Sequence, residues 1–362
     1  MDPVALQVMV GGLRAACDEM GATLIRSAYS ANVKERHDCS TALFDAAGAL
    51  VMQAEHIPVH LGSMPDAVAA VLGEEQRPGQ SWILNDPYRG GTHLPDITLI
   101  SSVFAADELL GFAASRAHHA DVGGPTPGGM PAFSASRDEE GVVIPPTVVT
   151  EETLQRLASQ MRSPRQRRAD LRAQQAANRI GELRLGELHE RFGDAMLREG
   201  MAEILAYTER RTRAALAELP DGSYRAEDVL EADWNREQRD LRLRLEATIA
   251  GDSLRLDFSG TDEQVEGNLN CPLSVTKSAA FFAVRALTDP DAPPSAGAHR
   301  PIEVLARPGS LLNARYPAAV AAGNVETSSR VADLVLAALS QARPGPAQGQ
   351  GTMNNMVLAG ED

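Results

Sequence analysis

The sequence predicts a mixed α/β fold, and three observations carry that expectation. A helical period opens the chain, short apolar runs punctuated by glycine and proline follow it, and leucine alternates strictly with arginine just past residue 240. Between these, residues 151–219 are rich in Arg, Glu, Ala and Leu at helical spacing. The expected layout is an N-terminal region of mixed sheet and helices over 1–150, a helical segment over 151–220, and a β-rich region with helices over 221–362. A chain of 362 residues is long enough for two or three substantial cores.

Residues 2–27 form the first expected helix. Asp2 can cap it, Pro3 suits its first turn, and Val4, Val8, Leu13, Ala16, Met20 and Leu24 recur on one face. Lys34, Glu35, Arg36, His37 and Asp38 then place five ionisable side chains directly before the strand-like Ala42, Leu43 and Phe44. Asp45 to Gly48 reads as a hairpin turn and Ala49 to Met52 as the return strand. His56 and His60 would share a helix face, but Pro58 between them opposes a regular helix. Such a loop pair either reaches a metal region or satisfies backbone groups, with His60 favoured over His56. Ser63 to Leu72 reads as a helix and Trp82 to Leu84 as a strand.

The most informative stretch is 85–130, where NDPYRGGTHLPDITLI is followed by RAHHADVGGPTPGGM. Six of the eight histidines fall before position 120. Pro95 excludes His93 to Asp96 from a helix interior and makes it a turn entering a strand at Ile97 to Val103. The next apolar run, Leu109 to Ala114, is expected to end near Ser115, with His118 following. Two neighbouring strands would then deliver His93, Asp96, His118, His119 and Asp121 to one place. Imidazole nitrogen and carboxylate oxygen suit a borderline divalent ion such as manganese, zinc or iron, which acidifies water or polarises an oxygen.

Beyond Gly141, the helical segment from Glu151 to Leu219 is interrupted at Ser163-Pro164 and near Gly193. Strands follow, with Leu241, Leu243 and Leu245 against Arg242 and Arg244, then Leu254, Leu256 and Phe258. Helices are expected over Lys277 to Leu287 and Arg330 to Leu339. Asn324 and Glu326, just ahead of the last, either line a polar site or serve as cap and turn residues.

Composition removes several function classes. With 49 acidic against 34 basic side chains the formal charge is −15, which opposes a general nucleic-acid or anionic-membrane binder. No GxxxxGK[ST] phosphate loop or GxSxG elbow occurs. Cys17, Cys39 and Cys271 are widely separated and odd in number, as expected of reduced thiols in a cytoplasm. The opening residues do not resemble a secretory signal.

The two central islands resemble the hydantoinase B/oxoprolinase family. The resemblance extends to SAYSANVKERHDCSTALFDAAGALVMQAEHIPVHLGSM, to DFSGTDEQVEGNLNCPLSVTKSA and to AAGNVETSSRVADLVLAAL. It implies a B-type subunit of an ATP-dependent cyclic amidase, acting on a substrate activated by phosphorylation on an A-type, ATP-binding partner. An ATP-dependent ketone carboxylase subunit is the alternative it also implies. On this reading His93, Asp96 and His118 are metal ligands, with His119 and Asp121 as further ligands or groups that orient them. The family's ERxD-like element adds Glu35, Arg36 and Asp38 as catalytic candidates; His37 and Cys39 stand where the family varies or carries an aromatic. The helical middle is the expected contact with the partner. Only seven residues follow the GTMNN motif, where the family continues, so the resemblance implies a shortened member or an inactive fragment.

Overall fold

A computed structural model describes residues 2–231 and 239–352. The stretch from Met353 on, including most of the GTMNN motif, lies outside the described residues. Helix α1 (Pro3–Ser27) is capped by Asp2, whose carboxylate accepts from the Ala5 amide at 3.0 Å. Its buried face is Met9, Leu13, Ala16, Cys17, Met20 and Leu24, whereas Val4 and Val8 face solvent. The expected apolar stripe therefore begins two turns late.

A short α2 (Ala31–Lys34) leads to the hairpin β1 (Cys39–Asp45) and β2 (Leu50–Glu55). Asp45 ties that turn by accepting from the Ala47 and Ala49 amides. The Pro58–His60 segment is a single 3-10 turn with Pro58 at its first position. Helix α3 (Met64–Ala69) is shorter than expected, and β3 (Ser81–Leu84) follows it. Strands β4 (Asp96–Ala105) and β5 (Glu108–His118) are the longest of the first sheet. Strand β5 continues past the expected end at Ala114, because Ser115, Arg116 and Ala117 keep pairing with both β4 and β1. With β6 (Thr147–Val148) they form an antiparallel sheet in the order β2-β1-β5-β4-β3-β6.

Both faces of this sheet are covered. Leu43, Ala113 and Ala117 pack on one side with α1, while Phe44, Phe112 and Ala114 pack on the other with α3. That is the period-two alternation of a strand with a core on each face. The helical segment resolves into α4 (Glu151–Gln160), α5 (Pro164–Phe192) and α6 (Asp194–Ala217), broken at Ser163-Pro164 and Gly193 as the sequence predicts. It is no detached layer: Ala173, Ala177, Leu185 and Leu197 share one core with α1.

The second sheet, β10-β9-β8-β7, uses β7 (Gly222–Leu230), β8 (Leu241–Ala250), β9 (Ser253–Asp257) and β10 (Ile302–Leu305). Helix α7 (Leu273–Thr288) starts four residues earlier than expected, directly after Pro272. After α8 (Ala296–His299), the last helix α9 (Ser328–Leu339) is entered through a π turn over Gly323–Thr327. Helices α7 and α9 join Leu241, Leu243, Leu245 and Leu256 in one core. No helix among the described residues is long and apolar enough to cross a membrane.

The two sheets meet along a seam of buried polar contacts. Ser274 Oγ donates to Gly91 O at 3.0 Å, and Asn268 Nδ2 to Pro131 O at 2.8 Å. Glu140 is fully buried and accepts from Ser134 Oγ at 2.9 Å and from the Val320 and Ala321 amides at 3.1 and 2.9 Å. Burial pushes its carboxyl up from 4.5 to about 7 despite those donors. The folded protein then holds a proton that the unfolded chain has released, so Glu140 favours folding fully below pH 4.5, and that contribution is lost as pH rises to about 7. We predict that Glu140→Gln gains on wild type by on the order of 3 kcal/mol between pH 5 and pH 8. Urea midpoints at the two pH values check it; a difference that does not change with pH refutes it.

Candidate metal centre

The register of β4 against β5 sets Asp96 directly opposite His118. The turn before β4 then folds His93 onto the same carboxylate: the Asp96 amide donates to His93 O at 3.1 Å, and His93 Nδ1 lies 3.0 Å from Asp96 Oδ2. The His118 amide donates to Asp38 O at 3.0 Å, which draws the end of the charged turn to the site, with Asp38 Oδ2 3.7 Å from His118 Nδ1. His118 Nδ1 is also 3.6 Å from Asp96 Oδ1. The 3-10 turn supplies His60, whose Nε2 is 3.5 Å from Asp96 Oδ2 while its Nδ1 meets Ser40 Oγ at 3.0 Å. Two overlapping groups result, His93/Asp96/His118 and Asp38/His60/Asp96, each with ligand atoms within 4.8 Å of one another.

Asp96 is the hub and is fully buried. Thr92 Oγ1 donates to its Oδ2 at 2.6 Å and so fixes the carboxylate plane. Burial alone would raise its pKa, but His93 and His60, with hydrogen bonds from His118 and His60, hold it well below the usual carboxylate range. Burial lowers His93 against the pull of Asp96. For His118 burial is outweighed by Asp96 and Asp38, and the imidazole is pushed up. Beneath the cluster, the buried Arg116 guanidinium donates to Thr98 Oγ1 at 2.8 Å, Ser63 Oγ at 2.5 Å and Gly90 O at 3.2 Å. It adds positive potential near Asp96 without occupying either carboxylate oxygen.

His119 and Asp121, expected as further ligands or orienting groups, are not brought to the cluster. Successive strand residues point to opposite faces, so His119 turns towards α5, where its Nε2 meets Gln174 Oε1 at 2.9 Å. Burial lowers it to about 4. Asp121 organises its own glycine-rich loop, accepting from the Gly123 and Gly128 amides at 2.8 Å and pairing with Arg162 at 3.2 Å. Of the other candidates, Asp38 and Arg36 line the cavity described next, whereas Glu35 is an exposed residue at the end of α2.

The cluster opens into a cavity of about 720 Å³ in the seam between the sheets. Asp96, His118, Asp38, Arg36 and Asn324 line it together with apolar residues of α7, α9 and the 3-10 turn. Asn324 sits on the π turn with Nδ2 3.5 Å from His93 Nε2. Only glycine fits before it, since a Cβ on Gly323 would lie 2.0 Å from Asn270 O. The sequence left Asn324 between a polar-site and a turn role; it serves both. Thr92 and Arg116 carried no sequence signal beyond proximity to HLPD and HHAD.

The residues fit a divalent cation. His93 Nδ1, His60 Nε2 and Asp96 Oδ1 are buried and none makes a well-formed hydrogen bond among the described residues, although His93 Nδ1 and His60 Nε2 lie 3.0 and 3.5 Å from Asp96 Oδ2. Unsatisfied groups at such density are costly unless a ligand completes them. Neutral imidazoles with the Asp38 and Asp96 carboxylates also match a double positive charge.

The class is thus a mixed α/β chain with a buried His/Asp cluster at the seam of two sheets. Comparison with known proteins gives the family: the hydantoinase B/oxoprolinase model matches residues 2–362, and the chain belongs to that family. It is 35% identical to an uncharacterized Methanocaldococcus jannaschii protein over 99% of this chain and 66% of that one. It is 35% identical to Dictyostelium discoideum 5-oxoprolinase over 100% of this chain and 29% of that enzyme. The B-type component of a putative D-/L-hydantoinase from Pseudomonas sp. is 31% identical over 100% of this chain and 65% of its own length. The chain thus spans about two thirds or less of these relatives. The crystal structure of the ATP-dependent caprolactamase from Pseudomonas jessenii superposes with a TM-score of 0.89 at 31% identity, covering 95% of this chain and 61% of that one. Nucleotide-free acetone carboxylase, at 20% identity and a TM-score of 0.88 over 94% of this chain and 48% of that one, shares the fold.

One backbone feature shapes the site. His37 adopts a left-handed conformation, φ 54°, between the two cavity residues Arg36 and Asp38. A side chain there costs on the order of 1–2 kcal/mol, most for a β-branched one. His37→Gly is expected to leave stability near wild type, while His37→Val lowers it by about 1–2 kcal/mol. Equal denaturation midpoints for the two variants would rule out this account of the turn.

Proposed function

We propose that this chain is the B-type subunit of an ATP-dependent cyclic-amide hydrolase of the hydantoinase/5-oxoprolinase type, with a divalent metal held by His93, Asp96 and His118 and by Asp38 as a fourth ligand or acid–base group. The observation that carries it is the pair of groups sharing Asp96, His93/Asp96/His118 and Asp38/His60/Asp96, whose Asp96, His118 and Asp38 stand at the wall of one cavity. Family membership supports the reaction class, and the names of the hydantoinase and 5-oxoprolinase relatives support ring opening at a C–N bond. Manganese, zinc or iron bound there would supply Lewis-acid polarisation of the ring carbonyl.

The chain's own residues account for the remaining chemistry. The surrounding imidazoles hold Asp96 ionised and Thr92 orients it, with Arg116 adding positive potential, so its carboxylate is ready without reorganisation. Asp38, partly exposed at the cavity wall, stands where a carboxylate can take a proton from an attacking water. Arg36 on the rim offers a guanidinium to the anionic group of an activated substrate. The sequence contains no phosphate loop, in keeping with ATP being used by an A-type partner. Exposed Leu183, Met196 and Tyr207 on α5 and α6 provide the candidate contact with that partner.

Elemental analysis of the purified chain tests the centre. Near-stoichiometric metal is expected in wild type and in His119→Ala, and loss of most of it in His93→Ala, Asp96→Asn and His118→Ala. Metal retained in all of the last three variants while the chain stays folded would sink the assignment. Because α5 shares the α1 core, deleting the helical segment would unfold the protein. Leu183→Glu with Met196→Glu is the informative change, expected to weaken co-purification with an A-type subunit about tenfold or more while the melting temperature holds. Undiminished co-purification would place the partner elsewhere.

A further inference from the structure

We infer, resting on the cyclic-amide reading above, that the substrate carries an uncharged apolar substituent on its ring and that Ala279, Phe282, Val325 and Ala332 seat it. The cavity is chemically divided. Its polar end holds Asp38, Asp96, His118 and Arg36, all from the first sheet and the turn that precedes it. Its other end is built by one face of α7, by the π turn and by the first turns of α9. Ala279 and Phe282 lie three positions apart on α7 and so share a face, and Met130 adds a flexible thioether to the lining.

Apart from Asn324, whose amide faces His93, the polar side chains at that second end are the hydroxyls of Ser328 and Ser329, and both are used. Ser328 Oγ donates to Asn324 O at 2.7 Å and Ser329 Oγ to Val325 O at 2.7 Å, each bonding back four residues along its own helix. Neither hydroxyl proton is left for a ligand. Among the described lining residues Arg36 is the one Lys or Arg, and it stands in the turn before β1 rather than on α7 or α9. A carboxylate carried into the α7–α9 end would therefore be desolvated without a partner, a cost that hydrocarbon does not incur.

Size points the same way. A cavity of about 720 Å³ lies in the range that encloses drug-sized ligands of roughly 300–1,000 Å³, and a bare five-membered ring fills little of it. Small residues at Ala279 and Ala332 leave the room, and the ring face of Phe282, 39% exposed, gives the substituent a surface to pack on. The inferred class is a hydantoin or lactam ring bearing an alkyl or aryl group, with the ring amide at the His/Asp cluster.

Calorimetric titration of the full 362-residue chain, with whatever metal it purifies with, against hydantoin, 5-benzylhydantoin and 5-oxoproline tests this. The benzyl compound should bind at least about tenfold more tightly than either of the others. Ala279→Phe and, separately, Ala332→Phe should each cut that preference to about threefold or less, with hydantoin affinity and metal content unchanged. Tighter binding of 5-oxoproline, a benzyl preference that survives both substitutions, or no binding by any of the three to metal-loaded chain overturns the inference. A chain that purifies without metal yet keeps the benzyl preference overturns the metal assignment instead and leaves the inference standing.

Discussion

The structure depends on one buried negative charge. Asp96 is fully enclosed, and an isolated carboxylate in such a place would protonate rather than stay ionised. It stays ionised because three imidazoles, one threonine hydroxyl and the field of Arg116 surround it. Those five groups come from three separate pieces of chain. His60 comes from the 3-10 turn, Thr92 and His93 from the turn before β4, and Arg116 and His118 from β5. The fold up to residue 118 can be understood as the means of bringing these pieces within a few ångströms of one carboxylate.

Placing that charge at a seam, rather than inside either sheet, gives it a wall open to a ligand. The second sheet contributes no member of the His/Asp cluster. What it contributes is the opposite wall, α7 and α9, and the contacts that fix its distance. Tight approach is needed at both sides of the seam: a Cβ on Gly91 would fall 2.3 Å from Asn85 O, and one on Gly323 2.0 Å from Asn270 O. Gly91 O in turn accepts from Ser274 at the start of α7. The backbone near the cluster and the helix that walls the cavity are thus joined directly, without intervening side-chain bulk on the first strand of contact.

The sequence made the fold legible where periodicity is unambiguous. Leucine alternating with arginine at 241–245 defined β8, and Ser163-Pro164 and Gly193 marked the helix breaks. It also singled out His93, Asp96 and His118, which the structure brings together, by residue type and by the proline that turns the chain before β4. It set His119 and Asp121 beside them as further ligands or orienting groups, and the structure holds both apart from the cluster, because adjacency in sequence does not convert to adjacency in a strand: β5 runs on to His118, and the next side chain points to the other face. Had the strand been continued to His118, alternation would have separated the two histidines. His60, Asn324 and Arg116 depend on contacts made across 36, 231 and 20 residues respectively, from His60 to Asp96, from Asn324 to His93 and from Arg116 to Asp96. No local pattern encodes such distances.

The same demand for fixed ligand atoms explains the polar stripe on α5, which looks wasteful in a helix that packs against a sheet. Gln174 Nε2 donates to Ile97 O at 2.9 Å and Ser115 O at 3.2 Å, and Asn178 Nδ2 donates to Leu99 O at 3.1 Å. Apolar residues there would give the same shape and avoid desolvating two amides. The amides do something apolar residues cannot: Gln174 bridges β4 and β5 one residue beyond Asp96 and three before His118. It also holds His119, whose backbone donates to Pro95 O in the turn that carries His93. Each such bond contributes only about 1 kcal/mol, but leaving one buried partner unmet costs on the order of 1–3 kcal/mol, so small displacements of the strand ends are resisted steeply. Rigid support of that kind is what a ligand set needs if its atoms are to stay within about half an ångström of their working positions. His119, read from the sequence as a further ligand or an orienting group, lies off the cluster and ties Gln174 to the turn that carries His93.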